Sequence, residues 1–497
     1  MKRACVMKET ADQKSLETVV KNTKFRWIVV GIVFLCAVVA GADRANIGVV
    51  VPYIKDHFHM SNTDIGAMTG LFFLCYALFQ VPMGMLFSKF GVRVIFTLAI
   101  VFTSLSTFVI GLATSVLHLK AARALLGLSE SPLILGSVST INHWFPPQEK
   151  GLATGIMISA FKLAPALVPP VTAYIIYTYG WQQVFFLFAF PGFVLAAVWF
   201  WLVKNNPQES AFCNKAEVDY IVSAKNPGDA ARQAARAKRT ASLQWLDRLI
   251  RTKKNQPLDT NRKIVLSWDV WGCAVGYFFL VGINYTIMTW VPTYLVTVKK
   301  FSIIKMGFVA AAPWVGAIMG NVIGGWMSDK VFDKRRKPVM ILTALATVCM
   351  MFSLLYSPND PLILGAVLLL AGMLLNLGYS TFLVYPLGLT TKEKSPFALS
   401  IVNTAGSLGG AFAPFMVGVL LDSFNWDMVF MYLSVSSLVS LVIILTTIEP
   451  MEDYEKPFDV TLIQKNSVLL RHKAADSSLS NLDLKGERVL YERKEDI

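Results

Sequence analysis

An all-α integral membrane protein of twelve transmembrane helices, arranged as two related sets of six, is the fold class that three observations predict. Of 497 residues, 55% are hydrophobic and 16% charged, whereas a soluble domain carries roughly a quarter charged residues. Apolar runs of the ~20 residues that cross a hydrocarbon core about 30 Å thick recur along most of the chain. Landmarks in the first half return in the second in nearly one register, as in carriers built from internal repeats.

The runs, bounded by Gly, Pro and charge, predict helices over 26–53, 65–87, 92–113, 117–143, 150–178 and 183–203. Six more are predicted over 268–297, 305–328, 338–356, 361–386, 395–421 and 427–448. The chain then divides into an N-terminal segment 1–24, a six-helix bundle 25–203, a basic linker 204–266, a second bundle 267–448 and a tail 449–497. The first 24 residues are polar and mixed in charge, unlike the apolar core of a cleavable signal peptide, so the first helix is expected to direct insertion. The repeat supports the division. Trp181-Gln182-Gln183-Val184-Phe185 returns as Trp426-Asp427-Met428-Val429-Phe430 and Pro169 as Pro414, both at an offset of 245 residues. Glu149-Lys150 returns as Glu393-Lys394, and Gly84 with Ser88-Lys89 as Gly325 with Asp329-Lys330.

A formal charge of +14 invites a nucleic-acid reading, but the basic residues collect in alternate loops. They lie at Lys2, Arg3, Lys8 and Lys14, at Lys89 and Arg93, between 204 and 263, at Lys330 and Lys334 to Lys337, and at Lys392 and Lys394. That is the pattern of cytoplasmic loops, which places both termini and the linker in the cytoplasm. Lys299, Lys300 and Lys305 are the exception. No nucleic-acid partner is expected; the lipid bilayer is. Within the linker, Ala230 to Arg239 is a helix-favouring basic run, either a solvated helix or one attracted to anionic headgroups. Six scattered cysteines lack the spacing of a metal clip. His57 and His59 read as solvated loop residues, and neither a metal nor another cofactor is assigned.

Charge inside the spans carries the functional signal, because an ionisable group near the bilayer centre is costly unless it faces a cavity or a partner. Asp43 and Arg44 break the apolar run of the first helix, Arg123 and Glu130 lie in the fourth, and Lys162 in the fifth. Arg123 and Glu130, seven residues apart, project from one face about 10 Å apart along the axis. The second bundle has only polar groups at such depth, among them Asn284, Asn321, Asn376, Asn403 and Thr404. An inward Arg suits a carboxylate, to which its planar fork donates two parallel hydrogen bonds, which makes Arg44 and Arg123 candidate substrate-binding residues. The expected substrate is therefore a small anion. Desolvation raises and a nearby Arg lowers a buried carboxylate's pKa, which makes Asp43 and Glu130 candidate proton carriers. The bland alternative is a set of static ion pairs holding helices together. Lys162 would snorkel, pair with Glu130 or meet substrate. Tyr76 and Gln80, four apart on the second helix, share a face that would line a cavity or pack between helices. Gly and Pro in the fifth and eleventh helices (Pro165, Pro169, Pro170, Gly406, Gly409, Gly410, Pro414) permit close contact and bending.

Gly84-Met85-Leu86-Phe87-Ser88-Lys89-Phe90-Gly91-Val92-Arg93 resembles the loop signature of the major facilitator superfamily, and Gly325-Trp326-Met327-Ser328-Asp329-Lys330 its second-half copy. Ser88 stands where the family usually has an acid; Asp329 keeps it. Asp43-Arg44-Ala45-Asn46, the run Arg123 to Pro132 and Trp144-Phe145-Pro146 resemble the anion:cation symporter family, over about residues 25–450. The resemblance implies the major facilitator fold, a monomer, and proton-coupled import of an organic anion such as a sugar acid by alternating access. It further implies that Arg44 grips the substrate carboxylate and that Asp43 and Glu130 carry protons. By the same resemblance Tyr76, Gln80, Asn403 and Thr404 contact substrate hydroxyls, and Gly84, Lys89, Gly91, Arg93, Gly325, Asp329 and Lys330 form the conformational loops. Lys162 is not a family feature; it implies either a substrate of higher negative charge or a helix contact peculiar to this chain. The short first external loop, unlike that of animal vesicular relatives, points to a bacterial inner membrane. Other readings are an exporter, an importer of amino acids or of a carboxylate siderophore, or a receptor that moves nothing. An enzyme is not indicated, since no nucleophile and base set, phosphate loop or metal cluster stands out.

Overall fold

Twelve helices long and apolar enough to cross a bilayer form the architecture of the computed structural model, which describes residues 23–223, 244–254, 257–356, 358–391 and 393–451. They are α1 (Phe25–Phe58), α2 (Asn62–Phe87), α3 (Lys89–Gly111), α4 (Val116–Trp144), α5 (Lys150–Tyr179) and α6 (Trp181–Leu202). In the second half they are α7 (Trp268–Thr297), α8 (Ile303–Val331), α9 (Lys337–Tyr356), α10 (Pro361–Leu389), α11 (Ser395–Ser423) and α12 (Trp426–Thr446). The expected spans are all present, but α1 is longer than its apolar run implied. Its helix continues unbroken through Asp43 and Arg44 to Phe58, about 50 Å at 1.5 Å per residue, because the charges are buried inside the bundle rather than turned out of it.

The two halves pack alike. In the first, α1 lies on α5, α2 on α4 and α3 on α6; in the second, α7 lies on α11, α8 on α10 and α9 on α12. The repeated landmarks occupy matching places. Trp181 and Trp426 open the last helix of each half, and Glu149-Lys150 and Glu393-Lys394 stand at the start of α5 and α11.

Between the halves, α2 meets α11, α5 meets α8 and α1 meets α7. Glycines set the approach: a Cβ at Gly66 would stand 2.7 Å from the Pro414 carbonyl oxygen and one at Gly307 3.0 Å from that of Pro169. A Cβ at Gly48 would stand 2.1 Å from the Met288 carbonyl oxygen. These contacts lie in the parts of the helices away from the linker. There Asp422, at the end of α11, accepts from the backbone N–H groups of Asn62 and Thr63 at 2.9 and 2.8 Å and from the Thr63 hydroxyl at 2.6 Å. A carboxylate from one half thus caps the first helical turn of α2 in the other, where free N–H groups and the helix dipole favour an anion. On the linker side a Cβ at Gly151, Gly155 or Gly325 would meet nothing within 4 Å. The seam between the halves is therefore closed at the end away from the linker.

The described stretches of the linker are built into both halves. Glu217, in the short helix Lys215–Ser223, pairs with Arg26 at 2.9 Å and accepts from the N–H groups of Phe25 and Arg26. Arg26 also pairs with Glu149 at 2.7 Å, and that hydrogen bond holds the Glu149 carboxyl below the usual carboxylate range. Under the second half, Asp247 binds Arg335 through two contacts of 2.7 and 2.8 Å. Lys337 donates to the carbonyls of Ile250, Leu445 and Thr447. Strand β1 (Thr252–Lys254) pairs in parallel with β2 (Glu449–Met451). The basic run Ala230 to Arg239, the N-terminal basic residues and most of the tail lie outside the described residues.

Candidate functional site

Arg123, Gly127 and Glu130 lie on one face of α4, one helical turn apart in succession. A Cβ at Gly127 would stand 2.1 Å from the Phe72 carbonyl oxygen, so glycine there lets α2 press its backbone against the charged face. The Phe72 ring then sits between two guanidinium groups, 4.8 Å from Arg123 and 5.6 Å from Arg44. Both are cation–π distances.

Arg44 is the hub. Its Nε donates to Glu130 Oε2 at 2.6 Å, in an ion pair whose carboxylate is fully buried. Its guanidinium lies 4.7 Å from the Tyr76 ring and 5.8 Å from that of Phe161 on α5. Tyr285 of α7, in the other half, also reaches Arg44 and packs on Phe73 at 3.9 Å. The pairing with Glu130 uses one edge of the fork only. Arg44 Nη2 and Glu130 Oε1 are both buried without a hydrogen-bond partner. Such atoms are costly to leave unmet.

The two candidate carboxylates differ in setting. Asp43 is 1% exposed, and neither of its oxygens closes a hydrogen bond; the Thr107 hydroxyl of α3 is the polar side chain that faces it. The cluster does not join Asp43 to an arginine by an ion pair. Instead Arg123 Nη1 donates to the Asp43 backbone carbonyl at 3.2 Å. Arg123 is 1% exposed and lies between the α1 backbone and Phe72, behind Arg44.

Lys162 stands apart from Glu130. Its Nζ donates to Asn376 Oδ1 of α10 at 3.2 Å and lies 3.9 Å from the centre of the Tyr379 ring. Asn376 donates in turn to Asn284 Oδ1 at 3.1 Å. Gln80, Asn403 and Thr404 are half-buried, and none closes a side-chain hydrogen bond with the charged cluster. Sequence reasoning passed over Phe72, Tyr285, Tyr379 and Gly127. Gly127 was findable, since it falls at i+4 from Arg123 and three residues before Glu130. The aromatic residues carry no such mark among many others in apolar helices.

The loop residues are held in two different ways. Gly91 has φ +76°, a left-handed conformation that favours glycine, and turns the chain between α2 and α3. Arg93, two residues on, donates to the Phe200 carbonyl at 2.9 Å, and Lys89 lies over Phe90. In the second half Asp329 accepts from Arg336 at 2.6 Å while Lys330 and the neighbourhood of Gly325 are open, and in the first half Gly84 is exposed. The Ser88 side chain lies outside what the structure describes.

Twelve spans in two matching bundles, with a charged cluster buried where the bundles meet, define a multi-pass membrane transporter rather than an enzyme. The chain belongs to the Major Facilitator Superfamily, whose sequence pattern matches residues 33–390 and 307–475. It is 28% identical over 460 residues to the probable galactarate/D-glucarate transporter GarP of Escherichia coli K12, covering 87% of this chain and 96% of that one. It is 27% identical over 427 residues to the D-galactonate transporter of Escherichia coli O6:H1, covering 84% and 94%. Its fold is similar, at a TM-score of 0.67 and 16% identity over 85% of this chain and 95% of the other, to a bacterial homologue of the human lysosomal transporter Spinster.

Proposed function

We propose that the protein imports a small organic anion, a sugar acid, together with protons across a bacterial inner membrane by alternating access. The bundles 25–203 and 267–448 are the moving bodies of a monomer, and the termini and linker 204–266 face the cytoplasm. The orientation follows from the basic loops. The substrate class is supported by the relatives named for galactarate, D-glucarate and D-galactonate.

One observation carries the coupling: Arg44 is held by Glu130 through Nε alone, with Nη2 and Oε1 left unmet. While Glu130 is ionised it neutralises Arg44 and weakens its pull on a second carboxylate. A proton on Glu130 removes that competitor and leaves the guanidinium free to take the substrate in a bidentate grip. Substrate and proton then favour each other's binding, and by linkage the effect is reciprocal. Asp43, within electrostatic reach of Arg44, Arg123 and Glu130, is the second carboxylate of a coupled set. Arg123 positions α1 by its bond to the Asp43 carbonyl. Tyr76 and Tyr285 border the guanidinium, and Gln80, Asn403 and Thr404 offer hydroxyl contacts along the same seam. The loops around Gly91 and Asp329 brace the linker side during rocking.

The test is Glu130→Gln, which keeps size and hydrogen bonding but removes the titratable proton. In proteoliposomes, accumulation driven by a pH gradient should collapse, while exchange of internal for external substrate survives, because exchange need not return an empty deprotonated carrier. A static ion pair predicts equal loss of both activities or poor folding, since breaking a buried pair costs about 3–5 kcal/mol.

A further inference from the structure

Lys162 is paired differently from the other buried cations described. Arg26 has two carboxylates, Arg44 has Glu130, Arg335 has Asp247, and Lys337 is surrounded by three carbonyls. Arg123 rests on a carbonyl and a ring. Lys162 has three N–H donors but one hydrogen bond, to the neutral Asn376, plus the face of Tyr379. Among the described residues no carboxylate lies within ion-pair distance of it. A mid-membrane cation without an anion is a functional candidate by default. The strictly structural role, a tie between the halves, would be served as well by a neutral glutamine.

Its place relative to Arg44 gives it a use. Phe161, its neighbour in sequence, lies against the Arg44 guanidinium at 5.8 Å. Tyr379, beneath its ammonium, is within electrostatic reach of both Arg44 and Tyr76. The two cations therefore border one stretch of the seam, Arg44 on α1 and Lys162 on α5, joined by aromatic rings. Lys162 is half-buried, and its ammonium has two donors beyond the one given to Asn376.

The geometry points to Lys162 as a second anion anchor, which makes the preferred substrate an organic diacid with one acidic group on Arg44 and the other on Lys162. This rests on the organic-anion reading above and narrows it. Lys, a compact point charge with three donors, accepts a terminal carboxylate in several orientations, whereas the fork of Arg44 fixes the first. Asn376 steadies the ammonium, since it is itself held by Asn284 and the Gly372 carbonyl.

The experiment compares D-glucarate with D-gluconate, six-carbon sugar acids that differ in one terminal carboxylate, as competitors and as labelled substrates of the full-length chain in proteoliposomes. The wild type should prefer the diacid at least tenfold. Lys162→Gln should erase that preference, lowering the diacid-to-monoacid ratio about tenfold, and Lys162→Arg should retain most of it. The wild-type comparison stands even if a variant fails to fold. A wild type that takes both acids equally well, or a Lys162→Gln variant that loses both in the same proportion, overturns the second anchor while leaving the organic-anion reading intact. A wild type that binds and moves neither acid overturns both.

Discussion

At the scale of single residues, the proposed function turns on how one guanidinium is shared. Arg44 meets Glu130 by Nε at 2.6 Å and has an unmet Nη2, the atom proposed to take an incoming carboxylate. A lysine there would supply the charge but not the fork, and its shorter reach would give up the contacts with Tyr76 and Phe72. Arg44→Lys is therefore expected to lower initial uptake at least tenfold, and Arg44→Ala further; near-normal uptake by the lysine variant would mean that Arg44 acts only through its long-range field. The charges that matter at this scale were legible in the sequence, because an ionisable residue in an apolar run is conspicuous against the solvation cost it incurs. Their partners were not. Nothing in the sequence assigned Glu130 to Arg44 rather than to Lys162, or sent Arg123 to the Asp43 carbonyl, because pairing depends on which faces α1, α4 and α5 present to one another. Tyr285 and Tyr379 were invisible for a different reason: in an apolar helix an aromatic ring that packs and one that lines a cavity look alike.

Among the elements, the helices were read closely because hydrophobic length and Gly or Pro punctuation fix spans well. The seams between them were not, since they depend on where backbones approach. Gly66 against Pro414 and Gly307 against Pro169 are the same contact made twice, once for each half. The Pro169 and Pro414 landmarks pointed to the repeat but not to this use of it. The reach of Asp422 across to the start of α2 was equally hidden, because an acid at a helix end reads as a solvated residue. Capping of this kind is worth about 1 kcal/mol, enough to bias a seam yet weak enough to break in the proposed cycle. Asp422→Ala is accordingly expected to loosen that end. With spin labels at Thr114 and Asn359, the population with the longer cross-half distance should grow severalfold; an unchanged distribution would show that the apolar glycine contacts alone hold the seam.

At the scale of the whole molecule, the repeat supplies two bodies of like packing, and each has its own foot of linker. Glu217 fastens residues 215–223 to Arg26, and Asp247 fastens residues 244–249 to Arg335. The basic residues Arg335 and Lys337, read from the sequence as topological markers, also stitch α12 to α9 and the linker. The seam is closed at the end bearing Asp422, and in the proposed cycle rocking about the central charges would expose them to the other side. The proposed symport requires that anion and proton move together. The most direct measurement is proton flux during uptake by the full-length chain in proteoliposomes, with an impermeant pH dye outside. Added D-glucarate should make the external medium more alkaline in step with its uptake, and an acidic exterior should drive its accumulation above the external concentration. Uptake that leaves external pH unchanged and is indifferent to an imposed gradient would contradict the coupling of Arg44 and Glu130 on which the account rests.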